Sequence, residues 1–169
     1  LGSLADTAVP TCDDDQWPAR VIGKGRARAL MRLRRPVRRY AESITERLID
    51  LGAADIVHGH SSHHPMPAEV YRGKLILYGC GDLINDYEGI SGYEAFRGEL
   101  GLLYFVTLDH AGRLQKLLMR PITRRRLRLN HSTAEEAAWL AKTMNQECGR
   151  FGGRVEPSSD SSLQLRWQS

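Results

Sequence analysis

An α/β fold is what this sequence predicts, and three observations carry it. Apolar residues recur at helical spacing near both ends, short β-like runs lie between, and two of those runs flank hairpin-type turns. The first helix spans about 38–51, with Tyr40, Ile44, Leu48 and Leu51 on one face and Gly52 as its cap. Asp55-Ile56-Val57-His58 then reads as a short strand, and the polar stretch from Gly59 to Pro67 as a loop at its carboxyl end. Strands Glu69–Tyr71 and Leu75–Tyr78 flank Arg72-Gly73-Lys74, a tight-turn sequence. Gly79-Cys80-Gly81-Asp82 breaks the second of these, and Asn85 to Gly98 is a long loop carrying Tyr87, Tyr93 and Phe96.

A second hairpin joins Leu100–Leu108 to Leu114–Ile122 through Asp109-His110-Ala111-Gly112, whose residue types tolerate positive φ. Arg124-Arg125-Arg126 follows as a charged edge. Ser132 and Glu135 have capping-box spacing, so a last helix runs to about Glu147 with Ala134, Ala137, Ala138, Ala141 and Met144 on one face. Arg154–Glu156 and Leu163–Trp167 are strand candidates around a Pro157–Asp160 loop.

A length of 169 residues with 41% hydrophobic content suits one domain and excludes two large ones. No apolar run is long enough for a membrane helix and no cationic start precedes an apolar core, so the sequence as given predicts a soluble, cytoplasmic chain. Cys12, Cys80 and Cys148 are odd in number and form no CxxC, which fits a reducing compartment; Cys80 between glycines reads as a small buried residue.

The net charge of +4 is unevenly placed, because Arg20 to Arg39 holds nine basic residues and no acid. With Pro36 as a break, residues 1–36 read as a basic, poorly ordered segment and 37–169 as the folded part. Nucleic acid is the lesser candidate partner for that arm, since its basic stretch from Arg20 to Arg39 contains no aromatic residue.

Four of the six histidines, His58, His60, His63 and His64, fall within seven residues on the loop after the first strand. Imidazole is the commonest protein metal ligand, and a loop can aim two of them into one cavity, with His60 and His63 the natural pair. Asp55 or Asp82 would orient a ring. Structural hydrogen bonding or surface exposure is the competing account of the cluster.

The run Gly52-Ala53-Ala54-Asp55-Ile56-Val57-His58-Gly59-His60-Ser61-Ser62-His63-His64, then Glu69–Lys74 and Leu75–Tyr87, resembles bacterial capsule-synthesis proteins of the CapA type. That family is associated with poly-gamma-glutamate capsule production. The resemblance implies the C-terminal portion of a calcineurin-like metallophosphoesterase β-sandwich flanked by helices, with divalent ions (Mn, Fe or Zn) held by loops at strand ends. It carries His60 and His63 over as metal ligands and leaves His58, Asp82 and Asn85 as substrate contacts or orienting groups. His64 is the candidate proton donor to a leaving group.

The superfamily's earlier Asp-x-His, Gly-Asp and Gly-Asn-His motifs are absent, and its last motif usually spaces the two histidines one residue apart rather than two. A truncated or frame-shifted product, or one begun at a misplaced start, would leave this pattern. The expectation is therefore a hydrolase-type fragment acting on an anionic substrate or polymer with an incomplete centre. The alternative is a non-catalytic module that binds anionic polymer or nucleic acid through its basic arm. Oligomeric state has no signature in the sequence.

Overall fold

Helix α1, Arg34–Asp50, begins earlier than the spacing predicts because Pro36 sits in its first turn, where the missing N–H has no partner to lose. The computed structural model of the chain describes residues 34–59, 62–84, 96–158 and 160–168, so the arm up to residue 33 lies outside the described residues. The chain divides into units Leu1–Tyr40 and Ala41–Ser169. At its carboxyl end α1 closes on Gly52, φ 65°, with Gly52 N–H donating to the Ile49 carbonyl and Ala53 N–H to that of Leu48.

The second unit holds two sheets. Strands β1 (Ile56–His58), β2 (Ala68–Tyr71) and β3 (Lys74–Leu77) form one sheet in the order β1-β3-β2, with β1 parallel and β2 antiparallel to β3. The β2–β3 turn puts both Arg72 (φ 49°) and Gly73 (φ 77°) in the left-handed region, as a two-residue hairpin loop requires.

The larger sheet contains β4 (Leu100–Leu108), β5 (Leu114–Arg125), β7 (Gly153–Pro157) and β8 (Leu163–Trp167) in the order β4-β5-β8-β7. The Asp109 carboxylate organises the β4–β5 turn by accepting from the N–H groups of Ala111 and Arg113, and those bonds hold its pKa below the ordinary value.

Strand β6, Arg128–His131, pairs with the end of β5 and is absent from the sequence reading. All four of its residues are exposed, so burial writes no alternation into them. Its turn residues, Arg126 (φ 53°) and Leu127 (φ 57°), are not the glycine or asparagine that announce such a loop.

Helix α2, Ala134–Cys148, starts one residue later than the capping-box spacing suggests. The cap is Thr133: its hydroxyl accepts from Glu136 N–H (3.2 Å), while Glu136 accepts from Thr133 N–H (2.8 Å). Ser132 is instead engaged with the Thr123 hydroxyl at 3.0 Å. Its buried stripe is Glu136, Leu140, Met144 and Cys148; of the expected face Met144 is buried, Ala137 and Ala141 are half-buried, and Ala134 and Ala138 are exposed.

That stripe packs on Leu117, Met119, Val155 and Leu165 of the larger sheet, and the same cluster takes in Ala68, Leu75 and Leu77 of the smaller one. One core therefore joins both sheets and α2. Burial of each large apolar side chain contributes about 1.5–3 kcal/mol.

Candidate functional site

The histidine loop is held against the chain that leaves β3. Gly59 N–H donates to the Leu77 carbonyl (2.7 Å), Met66 N–H to that of Gly79 (2.8 Å), and Tyr78 N–H to that of Pro67 (3.1 Å). Residues 77–80 thus run between the two ends of the loop. The closeness of this packing explains two glycines. A Cβ on Gly79 would collide with the Ser62 side chain, and Gly81 has φ 71° with its Cβ position 3.0 Å from backbone atoms of His64 and Pro65.

Within that frame His63 adopts φ 56°, left-handed and uncommon for a residue with a Cβ. Its Nδ1–H donates to Asp82 Oδ2 at 3.0 Å, which assigns the imidazole tautomer from the acceptor. The same Asp82 oxygen accepts from Arg124 Nη1 at 3.3 Å, and Arg124 Nη2 donates to the Gly98 carbonyl. Arg124 is only 7% exposed, and its Nε has no hydrogen-bond partner among the described residues. The site is therefore an imidazole, a carboxylate and a buried guanidinium in series, anchored where Leu100 and Gly101 of β4 pair with Thr123 and Ile122 of β5.

The charged-edge reading of Arg124–Arg126 needs correction at its first member. Pro121, Ile122, Thr123 and Arg124 are buried in succession, so both faces of β5 are covered here and Arg124 is buried, while Arg125 and Arg126 stay exposed.

The other predicted residues are placed as follows. His64 stacks on Phe96 with ring centroids 4.4 Å apart, and its carbonyl accepts from Ser62 Oγ at 2.7 Å. His58 is exposed at the end of β1. Asp55 is engaged by Lys74, so between the two candidate orienting carboxylates it is Asp82 that meets an imidazole. His60 and Asn85 lie outside the described residues, as do Cys12, Tyr87 and Tyr93. Burial pushes the Cys80 thiol up to about 11, away from nucleophilic use. Cys148, likewise pushed up to about 11 by burial, accepts from Ala68 N–H at 3.3 Å.

Chemically, a histidine whose Nδ1–H is committed to a carboxylate is the arrangement in which Nε2 ligates a metal. Among the described residues, no group of three or more His, Cys, Asp or Glu side chains converges to hold an ion. The described part thus offers one imidazole oriented by a carboxylate. Among the described residues, no helix is long and apolar enough to cross a membrane.

Mixed α/β architecture with an oriented histidine loop at the end of a parallel strand pair defines the class. Residues 33–87 match the family described as bacterial capsule synthesis protein PGA_cap. The chain is also 50% identical over 124 residues to the "probable polyglutamine synthesis accessory protein" of two Mycobacterium tuberculosis strains. Those 124 residues are 73% of this chain and 32% of each relative, so the chain spans about a third of the curated relatives it matches. Over these stretches the chain is similar to bacterial capsule synthesis proteins and to the two polyglutamine synthesis accessory proteins.

Proposed function

We propose that this chain is the portion of a poly-glutamate capsule accessory protein that contributes the last histidine motif to a metal-dependent, phosphoester-hydrolysing centre. The observation that carries the reading is the His63–Asp82–Arg124 series. Asp82 fixes the imidazole tautomer, and Arg124 donates to the same carboxylate oxygen and so holds it in place. The fold half of the proposal, a calcineurin-like sandwich, is supported by the two sheets sharing one core.

In this reading His60 and His63 hold a divalent ion of the Mn, Fe or Zn type, and the segments that the longer relatives add supply the remaining ligands. Such an ion, when bound, polarises a phosphoryl oxygen and lowers the pKa of a coordinated water. His64, held flat against Phe96, is assigned the proton donation to the leaving oxygen.

The test is chelator-sensitive hydrolysis of a bis-aryl phosphodiester by a full-length relative. Alanine at the position matching His63 should abolish turnover, and conservative asparagine at the position matching Asp82 should lower it with the fold intact. Undiminished turnover in both variants would refute the assignment.

A further inference from the structure

Strand β1 ends the smaller sheet, and among the described residues no strand pairs with its outer side. Gly59 N–H donates inward to the Leu77 carbonyl, so by the alternation of an extended chain the N–H groups of Ile56 and His58 point at the open edge. Such an edge is a template for a further strand.

Helix α1 runs antiparallel to β1 and β3. Thr45 meets the Tyr78 hydroxyl at one end of the sheet, while at the other Asp50 accepts from Tyr71 Oη (3.4 Å) and pairs with Arg72 (3.1 Å). A helix that returns antiparallel and feeds a parallel strand is the second half of a strand–helix–strand crossover. The described sheet has two open edges, β1 and β2, and α1 selects between them. Asp50 lies over β2 and Ile49 is buried beneath the helix, which puts Ile44 and Leu48 on the opposite flank, over the β1 side. Ile44 is 45% exposed, Leu48 39% and Leu51, next in the stripe, 67%; Ile56 on β1 itself is 37% exposed. The apolar face that helical spacing writes into the sequence is therefore left open beside an open strand edge.

We propose that the outer edge of β1 and this flank of α1 seat a parallel, apolar β-strand from the segment that the two mycobacterial relatives carry beyond the matched 124 residues. The match is 32% of each relative, so most of its length is available to supply that strand. The arm of this chain does not fit the role: a buried parallel strand reads as a near-continuous apolar run, and residues 1–33 hold no apolar run longer than three. The inference rests on the reading that this chain is a portion of a longer accessory protein, and not on its metal chemistry.

The experiment compares hydrogen exchange and melting of the 169-residue chain with those of a full-length relative. In this chain the Ile56 and His58 amides should exchange rapidly, whereas at the matching positions of the relative protection by about a hundredfold or more is expected. Leu48→Lys with Leu51→Lys should shift the melting temperature of this chain by no more than about 2 °C, because both side chains are exposed. Lysine at the two matching positions of the relative should lower it by about 5 °C or more, because there the charges would be buried. Unprotected amides in the relative, or equal tolerance of the lysines in both proteins, would overturn the proposal. So would a 169-residue chain that sediments as a dimer and is dispersed by the two lysines, since a second copy would then be the occupant. Protected amides in a relative that keeps full turnover with alanine at the position matching His63 would sink the hydrolase reading alone.

Discussion

Replacing Asp82 by alanine removes the acceptor shared by His63 Nδ1 and Arg124 Nη1, and the consequence is set by what Arg124 has left. Its remaining partner is the Gly98 carbonyl, while Nε has none among the described residues. Removing one member of a buried ion pair costs about 3–5 kcal/mol when both are fully buried. Asp82 is 19% exposed and water can replace part of its field, so about 2–3 kcal/mol is expected here. Arg124→Met should cost less than Asp82→Ala, because the carboxylate it leaves behind is partly exposed and still accepts from His63 Nδ1–H. For a domain of this size a loss of 2–3 kcal/mol lowers the melting temperature by about 4–12 °C. Urea denaturation of the wild type, both single variants and Asp82→Ala/Arg124→Met gives the coupling directly. Additive effects, or an Asp82→Ala cost within about 0.5 kcal/mol of zero, would refute the argument that Arg124 depends on Asp82.

Other outcomes follow from the same structure. Met144→Ala opens a cavity under α2 at a fully buried site and should cost about 2–5 kcal/mol by denaturant unfolding. The hydrogen bond from Thr133 N–H, foremost among several, holds the Glu136 carboxyl below its ordinary value. A carboxyl depressed in the folded state stabilises above its unfolded pKa and loses that contribution as pH falls. Glu136→Gln should therefore flatten the decline in stability below about pH 4.5, followed by melting temperature against pH. Gly81→Ala forces a Cβ into the left-handed region and against the His64–Pro65 backbone, costing upwards of about 1–2 kcal/mol. Leu127→Gly relieves the same conformation in the β5–β6 turn and should raise stability by about 0.5–1 kcal/mol in thermal unfolding.

Much of this architecture was legible because burial leaves a pattern. The β4–β5 hairpin, β8 and the Gly52 cap follow from alternation and turn chemistry, and all sit where those rules place them. Strand β6 was not legible, since an exposed edge held by backbone pairing needs no particular side chains. The start of α2 was misplaced by one residue because two overlapping pairs, Ser132/Glu135 and Thr133/Glu136, have identical spacing. The choice between them is tertiary: Glu136 reaches Thr123 and Arg125 on β5. The histidine loop stood out by composition, but Arg124 did not, because its pairing with Asp82 joins positions 42 residues apart.

The central claim is that His63, oriented by Asp82, is a metal ligand, and calorimetric titration of the chain with Mn²⁺ or Zn²⁺ tests it most directly. Saturable binding is predicted for the wild type, about 10–100-fold weaker binding for Asp82→Asn, and none for His60→Ala/His63→Ala. Binding of equal strength in all three proteins would contradict the account.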